Sequence, residues 1–251
     1  MASARSKYLT EISGQWQYLP TWLPGRTVRL GQVGHFDRGA VEVAGDLAAH
    51  GFDIVEDVDQ SQSSLSYSSE RAVEWGWTAD ASLATGERAD VEVTFSRANA
   101  VLFHAYEAVE HRISNLAELK SLILELDAKD TWPSRSAVIV SVVSARATTV
   151  MISSSSDASV VCEAEVGASL GSLADPRLGL RQRSARNMDT TIVADGNLTP
   201  LYQALILRRG LFGNRFVKAL RGAETLAADD PLRAAVDDDF TLCEVDLEPL
   251  G

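Results

Sequence analysis

Apolar and polar residues alternate from Gln62 to Thr78, in the stretch QSSLSYSSERAVEWGWT. Leu65, Tyr67, Val73, Trp75 and Trp77 occupy odd positions, and Ser64, Ser66, Ser68, Glu70, Glu74 and Thr78 even ones. A period of two sends successive side chains to opposite faces, so the pattern predicts a strand with one apolar and one polar face. Strands usually hold about 5–6 residues; this one would run through 17. Arg71 departs from the pattern, a cation on the apolar face.

A second extended run follows the polar connection Asp80–Arg88. Val91, Val93 and Phe95 alternate with Glu92, Thr94 and Ser96, and the run continues through Val101, Phe103, His104 and Tyr106 to Ile113. The two runs predict one long antiparallel hairpin, Gln62–Thr78 with Asp90–Ile113; the alanines of Asn99–His111 leave a helix as the competing reading there. Ser114–Asp127 predicts the clearest helix. Leu116, Leu119, Leu122, Ile123 and Leu126 share one face, and Asn115 with Glu118 has capping-box spacing. Strands are predicted over Ala137–Ala145, Thr148–Ser153, Ala158–Val166, Leu178–Ser184, Thr190–Val193 and Leu201–Leu207, with Asp195-Gly196-Asn197 as a turn.

Upstream, Ser3–Ile12 reads as a short helix, and an aromatic, proline-broken lead-in (Trp16, Tyr18, Pro20, Trp22, Pro24) cannot be regular helix. Thr27–Phe36 and Ala40–Val43 read as a hairpin around Asp37-Arg38-Gly39, and Asp46–His50 as a helical turn ended by Gly51. After Gly222 the pattern predicts a short helix at Pro231–Val236 and a strand at Thr241–Leu247. The fold class that results is strand-rich α+β: a twisted antiparallel sheet with long amphipathic hairpin strands and a few short helices. It lacks the strand–helix alternation of a doubly wound fold.

Charge changes this picture. The formal net charge is −12, which opposes general nucleic-acid binding, where a basic surface must displace counterions. Its distribution is uneven. Arg177, Arg181, Arg183, Arg186, Arg208, Arg209, Arg215, Lys218 and Arg221 meet only Asp189 and Asp195 between positions 177 and 222, for +7; positions 223–251 carry −8. The expected division is therefore a strand-rich domain over 1–222 and an acidic tail over 223–251. No apolar leader and no apolar stretch of helix-spanning length is read, so the expectation is a soluble cytoplasmic chain.

Candidate chemistry adds little. Gly167-Ala168-Ser169-Leu170-Gly171 fits G-x-S-x-G, but a hydrolase of that type needs a histidine after the serine, and the last histidine is His111. His35, His50, His104 and His111 lack metal-ligand spacing, and Cys162 and Cys243 form neither a disulfide framework nor a metal motif. No catalytic residue, cofactor or metal is expected, and the chain reads as a non-enzyme.

The length of the two-faced strands admits a sharper use. A strand crossing a bilayer needs about 9–11 residues that alternate lipid-facing apolar with lumen-facing polar side chains. The order of elements also resembles that of the gasdermin pore-forming domain, including its short bacterial members. An early element is Arg38-Gly39-Ala40-Val41-Glu42-Val43-Ala44-Gly45-Asp46-Leu47; long hairpin strands and a helix follow. Ala137-Val138-Ile139-Val140-Ser141-Val142-Val143 comes next, and a late strand runs from Thr191 to Leu201. The resemblance spans about residues 27–210. It implies a domain silent until a C-terminal segment is removed, which then oligomerises with copies of itself in anionic membrane lipid, here the inner membrane, after cleavage by an activating protease. Leu65, Tyr67, Val73, Trp75, Trp77, Val91, Val93 and Phe95 would meet lipid, and the nine basic residues would meet lipid or the tail. Bacterial members often carry a lipidated N-terminal cysteine, and MASARSKYLTEISG has none. The rival expectation is a non-enzymatic binding or assembly module with Trp16, Trp22, Trp75 and Trp77 as contact anchors.

Overall fold

The computed structural model describes residues 4–22, 26–37, 39–61, 63–78, 88–133, 135–165, 180–209 and 215–220. The elements in chain order begin with α1 (Ala4–Trp16), β1 (Leu19–Pro20), β2 (Gln32–Asp37), β3 (Ala40–Asp46) and a 3-10 turn (Leu47–His50). Then come β4 (Glu56–Val58), β5 (Ser63–Ser68), β6 (Val73–Trp77), β7 (Arg88–Phe95), β8 (Val101–Ile113) and α2 (Leu116–Ala128). The last are β9 (Ser136–Ser153), β10 (Ala158–Glu165), β11 (Arg181–Arg186), β12 (Met188–Arg209) and β13 (Arg215–Leu220).

These strands make two antiparallel sheets. The large one is built on β9 and β12, paired from Met188↔Ser153 to Ile206↔Ala137. β8 lies along the other edge of β9, followed by β5 and β4, while β2 and β3 continue from the start of β9. β1 and β13 line the outer edge of β12. The small sheet has the order β11-β10-β7-β6.

Burial explains the layers. Tyr8 and Ile12 of α1 pack with Val101, Phe103, Val143, Val150 and Ile152 on one face of the large sheet. Leu102 and Met151 point the other way, into a cluster with Val91, Val93, Phe95, Val160 and Cys162 of the small sheet. The small sheet therefore lies against the face of the large sheet opposite α1. Leu119 and Ile123 of α2 close a third cluster with Val138, Leu205 and Val217.

The predicted hairpin arms pair antiparallel, but neither is one strand. Leu65 and Tyr67 pair with β8, in the large sheet, and Val73 to Trp77 with β7, in the small one. Arg71 is not on an apolar face: it sits in the bend between β5 and β6 at φ 53, with its side chain almost fully exposed. Asn99–His111 gives strand from Val101 onward rather than helix, and Arg146-Ala147 does not interrupt β9. Asp195-Gly196-Asn197 makes no turn either; it is a register shift within the 22 residues of β12. The predicted helix forms, but Asn115 leaves its first turn without a side-chain cap. Its amide oxygen accepts from the Val55 N–H, and its amide nitrogen donates to the Asp53 carbonyl and to Glu118. The tail expected over 223–251, its helix and strand, Cys243 and the G-x-S-x-G match lie outside the described residues.

Candidate functional site: the seam between two sheets

Each strand of the small sheet continues directly into one of the large sheet, in the same order. β6-β7-β10-β11 on one side becomes β5-β8-β9-β12 on the other. The small sheet and this part of the large one are a single four-stranded ribbon, bent once at the same level in every strand.

The bends are rich in Ser, Asn and Asp, whose short polar side chains can hydrogen-bond the local backbone in place of the ladder. In the first, Ala72 N–H donates to the Ser69 carbonyl at 3.0 Å, and Ser96 of the second bend donates to the Ala72 carbonyl at 3.0 Å. Asn99 stands at φ 56 and Asn187 at φ 53, a left-handed region that Asn enters more readily than most residues. Ser153 Oγ accepts from Ala100 N–H at 2.9 Å and donates to the Arg97 carbonyl at 2.7 Å. Ser154 N–H reaches the Asn187 carbonyl at 2.9 Å, and the Asn187 amide reaches Asp157 at 3.0 Å. The Ser155 hydroxyl, with Asn187 and Arg186 adding to it, holds the Asp157 carboxyl below its ordinary pKa. A continuous set of hydrogen bonds thus crosses all four strands.

Helix α1 adds one contact to this seam. Glu11, only 10% exposed at its side chain, accepts from the Ser69 hydroxyl and, at 3.0 Å, from the Arg97 guanidinium. Lys7, one turn earlier, lies 3.1 Å away. Burial alone would raise the Glu11 pKa; the bonds from Ser69, Arg97 and Lys7 outweigh it and hold the carboxyl below its usual range.

Between the sheets lies a buried histidine. His104 is 1% exposed, bonded through Nδ1 to Ser66 at 2.8 Å, and edge-on to the Trp75 ring at 5.9 Å. Its Nε2 has no hydrogen-bond partner among the described residues. Burial pushes its pKa down to about 4, so it is neutral at pH 7. Burial likewise raises the Cys162 thiol to about 11, which leaves it unreactive at neutral pH.

The residues expected to meet lipid are folded away here. Val91, Val93 and Phe95 are buried between the sheets, with Val73, Trp75 and Trp77 partly buried around them. Leu65 and Tyr67 pack instead on the α1 side. The basic residues divide between two places. Arg181, Arg183 and Arg186 line β11 at the rim of the small sheet, where Arg183 pairs with Glu163 and Asp90 and Arg186 with Asp157. Arg208, Arg209, Arg215 and Lys218 belong to the β12–β13 hairpin at the far end of the large sheet; Arg177 and Arg221 lie outside the described residues. All four tryptophans read as contact anchors pack within the molecule: Trp16 against Phe103 and Tyr67, Trp22 against Tyr8, Trp75 against His104, and Trp77 against the cluster between the sheets.

Sequence reasoning missed Glu11, Ser69, Arg97, Ser153 and Asn187. Glu11 left no signal in the sequence; for the other four the signal was the short polar stretches that interrupt the strand runs, SSER at 68–71, SRAN at 96–99, SSSSD at 153–157 and RN at 186–187.

Among the described residues no helix is long and apolar enough to cross a membrane, which says nothing about crossing with strands. No protein-family model matches the chain, and no curated protein does. Among solved structures, it is similar to a chain of the gasdermin A3 membrane pore determined by cryo-EM, at 9% identity and a TM-score of 0.32, covering 84% of this chain and 94% of that one. A likeness at that score carries no argument about function; the seam stands on its own geometry.

Proposed function

We propose that this fold is the closed form of a membrane pore-forming protein, whose bent ribbon straightens and inserts as β-hairpins. The observation that supports this reading most is the seam. Four strands keep one order across two sheets, so opening the bends would extend the ribbon without changing which strands are neighbours. The straightened arms, 63–77 with 88–113 and 136–165 with 181–209, all exceed the roughly 9–11 residues a membrane strand needs.

The side chains fit unevenly. β7 and β10 alternate buried apolar with outward polar positions: Val91, Val93 and Phe95 against Glu92 and Thr94, and Val160, Cys162 and Ala164 against Glu163. β6 carries Val73, Trp75 and Trp77 on its apolar side. β11, Arg-Gln-Arg-Ser-Ala-Arg, is exposed throughout and has no apolar face, so β6–β7 is the hairpin best suited to lipid. A single hairpin leaves edges unpaired in lipid, and insertion therefore requires closure with further copies of the chain. Anionic lipid is the partner suited to the basic residues of β11, once Asp90, Glu163 and Asp157 are displaced from them, and to those of the β12–β13 hairpin. Removal of the acidic segment 223–251 by a protease is the proposed activating step, and passage from cytoplasm to inner membrane the proposed route.

The test is dye release from anionic liposomes by the full chain and by a chain cut after Gly222. Leakage from the cut form alone supports a tail-restrained pore former. Silence from both, with the cut form folded and monomeric, removes the reading.

A further inference from the structure

We propose that helix α1 is a clasp on the seam, and that Glu11 is the residue through which it keeps the ribbon bent. The inference concerns how the closed form is held. It rests on the pore reading only for what opening leads to.

The helix is fixed to the large sheet. Tyr8 and Ile12 are fully buried against Phe103, Val143 and Ile152, so Glu11, between them in sequence, is held in place by packing it does not itself make. From there its carboxylate reaches two bends at once. One oxygen takes the Ser69 hydroxyl of the first bend, and the other takes Arg97 of the second. Ser69 is itself 1% exposed, and its hydroxyl oxygen accepts the Val101 N–H at 2.8 Å. The carboxylate therefore orients the group that satisfies a buried backbone donor at the bend. Arg97 passes the restraint on, because its carbonyl accepts from Ser153 of the third bend.

The bends need such support. Arg71 stands at φ 53, and left-handed backbone costs an L-residue about 1–2 kcal/mol. A charge-assisted hydrogen bond is about twice as strong as a neutral one, and Glu11 supplies two to the seam from an element outside the ribbon. Breaking them leaves α1 docked through its apolar face while the bends lose their external tie.

Hydrogen exchange of the full chain tests this, comparing wild type with Glu11→Gln, Glu11→Ala and Arg97→Gln. The clasp predicts that amides of the first two bends, near Ser69–Ala72 and Ser96–Val101, exchange about tenfold faster or more in both Glu11 variants. In Arg97→Gln, whose side chain is 42% exposed, the increase should centre on the second bend. Amides of β9 and β12 should stay at wild-type rates. Unchanged exchange at the bends overturns the proposal, and so does a uniform increase through β9 and β12, which would make Glu11 a general stability residue. Leakage from anionic liposomes, measured on the same variants cut after Gly222 so that the acidic segment no longer restrains them, separates the two ideas. Faster bends without leakage keep the clasp and remove the pore reading; leakage without faster bends does the reverse.

Discussion

β9 and β10 are consecutive parts of one strand path, yet they are buried differently. Of the 18 residues of β9 only Ser144 and Arg146 are not buried, because α1 and other elements cover one face of its sheet and the small sheet covers part of the other. Along β10 burial alternates, Ala158, Val160, Cys162 and Ala164 inward and Ser159, Val161 and Glu163 outward. The seam is where a strand covered on both faces becomes one covered on a single face. A layer of the second kind can leave its partner by exposing one apolar face, and that face can be covered again by lipid. The first kind cannot leave without dismantling the core. On the pore reading proposed above, the small sheet is therefore the part that moves and the large sheet the part that stays.

The largest break in this comparison comes from Val93→Asp. Val93 is 1% exposed between the sheets, and an unpaired buried carboxylate there should cost roughly 4 kcal/mol or more. Thermal melting should show a protein largely unfolded or expressed insoluble.

Acid should act next in size, through His104. Its folded pKa is lowered to about 4 from an ordinary 6.5, so the unfolded chain binds the proton first as pH falls. Stability should be unaffected by this group above about pH 6.5, fall between there and about pH 4, and level off below. The total is roughly 3 kcal/mol. Denaturant melts at pH 7, 5.5 and 4.5 measure it, and His104→Asn should flatten that part of the profile. Glu11, whose pKa is lowered in the folded state, contributes stability that is lost only as pH drops below the ordinary carboxylate value, which separates the two windows. The smallest effect belongs to Thr94→Asp. Thr94 points outward on the same strand as Val93, opposite Glu74, so stability should fall by no more than about 1 kcal/mol, part of it from the like charge across the strands. Equal losses from Val93→Asp and Thr94→Asp would remove the one-sided character of the small sheet.

Much of the ribbon was legible because period-two patterning survives wherever one face meets water, as in Val91-Glu92-Val93-Thr94-Phe95. The first bend was hidden by phase. Ser69 to Ala72 insert four residues between β5 and β6, an even number, so Tyr67 and Val73 stay in step and two strands of different sheets read as one. β9 gave no alternation because both its faces are covered, and its length was underestimated at Arg146, an exposed residue in an otherwise buried run. Glu11 carried no sequence signal at all. It lies 58 residues from Ser69 and 86 from Arg97, and only the packing of α1 brings them together.

The central claim is that the small sheet exchanges its contact with the large sheet for lipid, one face at a time. Single cysteines carrying an environment-sensitive dye, placed in turn from position 88 to 101 in a Cys162→Ala, Cys243→Ala background, test it on liposomes under leaking conditions. The account predicts that dyes at 91, 93 and 95 report lipid and those at 92 and 94 water, with the alternation continuing through 96–100 where the bend now lies. Leakage with the dyes still reporting a bend at 96–100, or with no alternation, would contradict it.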